Sequence, residues 1–457
     1  MEQTNSGSRR KSQPKDDFHG LILFRSQNLL MSLENAEGQP KILFVTSHWP
    51  LAPAYGAQQR VLNIAKLLSR NGNLSFVIVP SELEDQETAR RTQCTFEVCR
   101  VIRPLPVVRV GPFGRLRNRL RNEFDPTYMG TDLYEVSRPD REALLRLIQQ
   151  HDLVWVHTIR TANWFRIYRW PHCVLDVDDL TSRQQRSLAL ANSNPVERLV
   201  GLRRAWIWRR HERLFPERFD VLTVCSEDDR HYLGGSAPIY VIPNGSHPQA
   251  AHPCSSSGLP RIGFIGNCTF KPNEDGLQWF IRAVWPTIKR DFPLARLRLV
   301  GRGSDGYLKH LGPGIDGLGW MEDPGDEVAS WSAMIVPIRF GSGTRVKVAD
   351  GFARRCPVVA TNFGASGYDV ANGEEILLAD RAEDFAAACS HLLRNPELRL
   401  ALSEKAHKRF VERWTWESFE STVGTVVQEC LARSHRAENG QVVAGVLGLQ
   451  ATTTRER

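Results

Sequence analysis

No apolar run in the 457 residues approaches the roughly 18 that a membrane-spanning helix requires. Nine cysteines, an odd number, are scattered without CxxC pairs or metal-ligand spacing. That argues against a disulfide framework and a zinc site, and fits a reducing, cytosolic compartment. Two phosphate-binding signatures are missing as well. There is no GxxxxGK[ST] loop, and no GxGxxG follows the first apolar strand, so ATP hydrolysis and dinucleotide binding lose support. Basic residues interleaved with aromatics on a recognisable nucleic-acid module are absent, and no internal repeat of solenoid length occurs.

What remains is ordinary globular material, 41% hydrophobic and 24% charged, long enough for two or three domains. The net charge of +8 and pI near 9.1 point to anionic partners: phosphorylated small molecules, acidic lipid or nucleic acid. Charge alone does not choose among them. The polar start, MEQTNSGSRRKSQPKDD, and the following LILFRSQNLLMSL, broken by Arg25 and Gln27, make a poor signal peptide. Residues 1–39 read as a weakly ordered leader, with an amphipathic anchor at the inner face of a membrane as the alternative.

From Lys41 the chain becomes regular. KILFVT ends in the loop SHWPLAPAYGAQQR, Val61, Ile64, Ala65, Leu67 and Leu68 recur at helical spacing, and SFVIVP follows as a strand. Further short apolar runs (LVWVH, CVLDV, VLTVC, IYVIP) continue the alternation, which predicts a parallel sheet covered on both faces. SHPQAAHPCSSSGLP breaks the rhythm, and RIGFIG restarts it, followed by a helix over 276–290, RLRLVG, SAMIVPI, PVVAT and ILLAD. The expected class is α/β, with two Rossmann-like doubly wound domains at 40–246 and 261–415 joined by a linker at 247–260. A helix over 416–434, with a crossing back to the first domain left open, and a disordered tail over 435–457 complete the division. A cleft between two such domains is a common place for a ligand.

The most informative stretch is FGSGTRVKVADGFARRCPVVAT, residues 340–361. A strand runs into Gly341-Ser342-Gly343-Thr344, and Val346, Ala349 and Phe352 or Ala353 then recur at helical spacing. Glycines permit a sharp turn with exposed amides, and the first helical turn supplies unpaired N–H groups and partial positive charge. Arg345 and Lys347 add full charges that are unfavourable at a helix N-terminus unless an anion offsets them. Asp350 lies three residues after Lys347 and four before Arg354, so it reads as an intrahelical ion pair, as an acceptor for ribose hydroxyls, or both.

GSGTRVKVADGFARRCPVVATNFGASGYDV resembles the GSGTR-bearing subset of the group 1 family of nucleotide-sugar glycosyltransferases. The likeness runs from about Lys41 to Glu417 and includes Gly56-Ala57-Gln58-Gln59-Arg60, VLDVDD, VCSEDD, VIPNG and GNCTFKPNEDGLQWF in shared order. The resemblance implies the GT-B fold of two facing Rossmann-like domains. It also implies a nucleotide diphosphate sugar as co-substrate held by the second domain, and a glycan, lipid-linked or small-molecule acceptor bound by the first. Transfer would retain the anomeric configuration, without a cofactor or a metal ion. Donor contacts fall on Gly56, Lys271, Ser342, Gly343, Thr344, Arg345, Val346, Lys347 and Asp350, and catalytic roles on Asp178, Lys347 and Asp350. Departures are present: Ser342 and Asp350 replace a pair of glutamates, Asp178 replaces a histidine, and Asn267 replaces a cation. They leave two other readings open, a noncatalytic sugar-nucleotide or glycan-binding partner subunit and a sugar-nucleotide epimerase.

GRLRNRLRN, residues 114–122, places arginines among leucines and reads as a solvated face, or as a surface for an anionic or lipid-linked acceptor. Trp206 and Trp208 are two apart and cannot face the same way on a helix, so one is expected to pack inward. His48 and His157 each follow a strand and so lie near the cleft, as satisfied structural histidines or, alternatively, as catalytic ones.

Overall fold

A computed structural model describes residues 38–51, 56–80, 86–106, 112–128, 134–249, 259–306, 312–341 and 343–453. Residues 1–37, most of the expected linker and Ser342 lie outside the described residues. The first domain contains β1 (Lys41–Thr46), β2 (Asn73–Ile78), β3 (Glu97–Val101), a small ribbon of β4 (Leu105–Pro106) with β5 (Tyr134–Glu135), β6 (Leu153–His157), β7 (Cys173–Asp176), β8 (Val221–Val224) and β9 (Ile239–Val241). Apart from the ribbon these form one parallel sheet in the order β3-β2-β1-β6-β7-β8-β9. The second domain contains β10 (Arg261–Ile265), β11 (Arg296–Val300), β12 (Ile315–Gly317), β13 (Ala333–Val336), β14 (Val358–Ala360) and β15 (Leu377–Leu378), also parallel, in the order β12-β11-β10-β13-β14-β15.

The strands are apolar nearly throughout because both sheet faces are covered. Leu43, Val45, Val154, Val156 and Leu175 pack on one side of the first sheet, and Ile42, Phe44, Leu153, Trp155 and Val174 on the other. Successive side chains of a strand point to opposite faces, so continuous apolar runs are what such a sheet requires. The second sheet is built alike, with Ile262, Leu297 and Ile335 on one face and Met334, Val336 and Val358 on the other. Chain order reverses between β1 and β6, and between β10 and β13. Loops leaving the strand ends at such reversals open a crevice, which places ligands there in open α/β sheets.

Two helices differ from expectation. The helix after β10 starts at Lys271, earlier than the periodicity suggested, with Pro272 in its first turn, and it continues through a π segment at Phe280–Val284 into Trp285–Asp291. Pro286 has no N–H to donate to the preceding turn, which accounts for the widened segment. The C-terminal helix spans Glu420–Thr453, through the stretch expected to be a disordered tail. No proline interrupts that stretch. Its Val423, Val426, Val427 and Cys430 are fully buried against the first domain, beside Trp155 and Val221. Among the described residues no helix is long and apolar enough to cross a membrane.

Candidate functional site

The helix Val346–Ala353 follows the glycine loop directly, and no side chain caps its first turn. The Val348 amide donates to the Arg345 carbonyl at 2.8 Å, and the helix start borders a cavity through Val346 and Lys347. Lys347 reaches back across the end of β10. A Cβ built on Gly266 would stand 2.8 Å from Lys347 Cε and 3.1 Å from Nζ, and the ammonium lies 5.5 Å from the centre of the Phe264 ring. Any side chain at Gly266 would thus expel the lysine. Burial and the neighbouring Arg345 push the Lys347 ammonium down to about 8 from an ordinary 10.5. Burial likewise lowers Arg345, against the opposing pull of Asp179 and Asp229. Two adjacent cations in a partly desolvated position favour an anion between them.

One turn further, Arg354 Nε donates to Asp350 Oδ1 at 3.1 Å. Burial raises the Asp350 carboxyl, and Arg354 and Lys347 oppose it. Of the two readings of Asp350, the ion pair is present. Asp350 also lines an interdomain cavity of about 880 Å³ together with Lys271, Thr344, Arg345, Val346 and Lys347, so the ribose reading stays compatible with the pair.

Contacts from the first domain hold the glycine loop. The Gly341 amide donates to Ser187 Oγ at 2.9 Å, the Asn244 amide donates to Thr344 Oγ1 at 3.2 Å, and the Tyr368 hydroxyl donates to the Asn244 carbonyl at 3.3 Å. Gly343 has φ +71°, and a Cβ there would lie 1.7 Å from Asp179 Oδ1. Glycine is required at this position by backbone conformation and by the approach of that carboxylate.

The first domain contributes a buried polar network at the ends of its central strands. Arg60 makes an ion pair with Asp176 at 2.6 Å and donates to the Ile242 carbonyl at 2.9 Å and to Asn244 Oδ1 at 3.1 Å. Asp176 also accepts from Thr223 Oγ1 at 2.8 Å and lies 3.0 Å from His157 Nδ1. Arg60 and His157 hold the Asp176 carboxyl well below the usual carboxylate range despite its burial. Sequence reasoning singled out neither Arg60 nor Asp176 as a pair. A signal was available: a His, an Asp and a Thr each stand at or next to the ends of three consecutive apolar strands, where periodicity gives them no reason to be. Asp178, at φ +58°, accepts from Cys225 Sγ at 3.2 Å and Asn244 Nδ2 at 3.3 Å, and it lines the cavity.

Residues 259–395 match the family model described as Glycosyl transferases group 1. That match takes in most of the second domain and less than a third of the chain. An uncharacterised glycosyltransferase of Methanocaldococcus jannaschii is 34% identical over 110 residues, covering 23% of this chain and 31% of that protein. An uncharacterised protein from the cps region of Klebsiella pneumoniae is 26% identical over 184 residues, covering 37% of this chain and 46% of that protein. The chain thus spans less than half the length of the curated relatives it matches. Among solved structures, sucrose-phosphate synthase from Thermosynechococcus elongatus superposes with a TM-score of 0.59 at 15% identity, over 86% of this chain and 100% of that one. Anabaena HepE, solved with UDP and glucose, gives a TM-score of 0.55 at 17% identity, over 86% of this chain and 100% of that one. The fold is GT-B, with both domains included in the likeness.

From the two domains the structure brings Lys271, Thr344, Arg345, Val346, Lys347, Asp350 and Asp178 to one cavity. Lys271 sits at the start of its helix, 3.4 Å from Glu274. Gly343 lines a second cavity rather than the first. Gly56 begins the helix Gly56–Leu68, whose Ala57 and Gln59 line the first cavity. Arg302, Trp320 and Met321 also line it, and sequence reasoning missed all three because they stand in loops without periodicity. Trp208 packs on the first domain's core, whereas Trp206 is exposed beneath Arg210. Among the described residues no group of three His, Cys, Asp or Glu side chains is placed to hold a metal ion.

Proposed function

We propose that the protein transfers a sugar from a nucleotide diphosphate sugar to a glycan, lipid-linked or small-molecule acceptor. The observation that carries this reading is Lys347, packed on Gly266 beside Arg345 where the uncapped helix meets the interdomain cavity. Helix amides and two cations at one point suit the diphosphate, whose charge grows as the bond to the sugar breaks. Asp350, one turn on, faces the ribose. Arg302, Trp320 and Met321 receive the base. Asp178, held by Asn244 and Cys225, faces the reacting sugar from the first domain. The resident charges supply the leaving-group stabilisation in this reading, and transfer proceeds with retention and without a metal ion.

The test is calorimetric titration of the purified protein with UDP, GDP, ADP and dTDP, without metal and then with magnesium. Micromolar binding of one nucleotide without metal, lost in an Arg345→Ala, Lys347→Ala double variant that stays folded, supports the site. Full affinity in that variant would overturn it. The departures at Asp178 and Asn267 favour one second reading, a noncatalytic binding subunit. Turnover of the matching nucleotide sugar, abolished by Asp350→Ala without loss of fold, would remove that alternative.

A further inference from the structure

Gly341 and Arg345 border two cavities. The second, of about 780 Å³, shares Gly341 and Arg345 with the first as common walls. Its remaining walls come from the helix Thr181–Ala191 and the segment 226–232 of the first domain, and from residues 361–367 and Asp380 of the second. None of the donor contacts assigned above uses this space except the loop itself.

The chemistry of this lining differs from that of the Lys347 cavity. Two of its four arginines are already compensated: Arg183 Nη1 donates to Asp229 Oδ1 at 2.6 Å, and Arg339 donates through Nε and Nη2 to the two oxygens of Asp275, each at 2.9 Å. Asp380 accepts from the Asn362 amide at 2.9 Å and from its Nδ2 at 2.7 Å. Three carboxylates, those of Asp228, Asp229 and Asp380, border the space. A phosphate offers only acceptors and would meet those carboxylates at close range, which is unfavourable in a partly desolvated cleft. A sugar hydroxyl both donates and accepts, so it can engage carboxylates, arginine N–H groups and the hydroxyls of Ser187, Ser226 and Ser366 alike. Arg186, exposed at the rim, makes no ion pair among the described residues and is free to donate to such a ligand.

We propose that this second cavity binds the acceptor, and that the acceptor presents a neutral oligosaccharide chain there. The inference rests on the transferase reading above. Transfer requires an acceptor hydroxyl beside the anomeric carbon of the donor, so a subsite for the rest of the acceptor has to border the donor cavity, and these two spaces share Gly341 and Arg345 as walls.

The experiment is saturation-transfer NMR on the full-length protein with maltohexaose, cellohexaose, chitohexaose and α-1,6-mannohexaose, and with oligogalacturonate as an acidic comparator. Parallel nucleotide titrations are run on wild type, Arg186→Ala and Asn362→Trp. At least one neutral hexasaccharide is expected to bind. Its affinity should fall about tenfold in Asn362→Trp, which fills the cavity, and severalfold in Arg186→Ala, with nucleotide affinity held within about twofold. Because Arg186 supports no structure, that variant carries the test should Asn362→Trp fail to fold. Binding of no neutral hexasaccharide, preference for oligogalacturonate, or binding that survives both changes would overturn the proposal. Nucleotide binding in the same samples separates the two failures: if it persists, the subsite alone is wrong, and if it is absent, the donor reading has failed first.

Discussion

Lys347→Met is the perturbation that most directly interrogates the donor site, because the ammonium titrates in an accessible window. With its proton held to about 8, the side chain is mostly charged at pH 7 and mostly neutral at pH 9. If a nucleoside diphosphate binds only the charged form, the apparent dissociation constant scales as 1 + 10^(pH − pKa). Between pH 7 and pH 9 that factor rises about tenfold, or about 1.4 kcal/mol. The ligand itself contributes little, since phosphate monoesters lose their second proton near pH 6. Cys268, pushed up to about 11 by burial, stays a neutral thiol across the window. Calorimetry at constant ionic strength and pH 7, 8 and 9 should therefore show wild-type affinity falling about tenfold. Lys347→Met should bind about ten- to a hundredfold more weakly at pH 7, the effect of one charge-assisted contact, and be nearly flat with pH. A flat wild-type profile, or an unchanged decline in the variant, would refute the placement of the lysine against the diphosphate.

Three further outcomes are expected. Gly343→Ala should destabilise the protein by about 1–3 kcal/mol through its left-handed backbone and the collision with Asp179. Adding Asp179→Ala should recover the steric part only, as read by thermal melting. Arg60→Met leaves the buried Asp176 carboxylate without its main partner and should cost about 3–5 kcal/mol in urea unfolding. A loss under about 1 kcal/mol would show that His157 and Thr223 suffice to hold that carboxylate. Glu212 is pushed up to about 7 by burial, with its oxygens accepting from the Ser182 amide and hydroxyl. Between pH 4.5 and 7 the folded chain retains a proton that the unfolded chain releases, so this group makes stability fall as pH rises through that window. Glu212→Gln should remove that slope from melting temperatures recorded from pH 5 to pH 8, and an unchanged slope would place the titration elsewhere.

The two-domain alternation was legible because parallel strands covered on both faces must be apolar along their length, and KILFVT, LVWVH, RIGFIG and SAMIVPI stand out for that reason. The glycine loop, the helix after it and the position of Lys347 in the first turn were also local properties. Asp350 was not resolved by sequence, because its ion pair with Arg354 and its exposure to the cavity follow from one helix face seen by two neighbours. Arg60, Asp176 and Thr223 were missed as a group, since the ion pair spans 116 positions of chain. The helix after β10 begins at Lys271 rather than at residue 276, and Pro272 fits its first turn because a missing N–H there has no partner to lose.

By itself, the sequence determined the class of each segment and the chemistry of the loop around Gly343, because periodicity, turn residues and charges within one helical turn act between near neighbours. The tertiary structure decided which carboxylates sit against that loop and which cations adjoin. It also decided that Gly341 and Arg345 are shared by two cavities. Those relations depend on contacts between the two domains, with Ser187, Asp179 and Asn244 brought from the first domain to Gly341, Gly343 and Thr344 of the second. Burial then set the proton affinity of Lys347, and burial is a property of the packed molecule rather than of the residues along the chain.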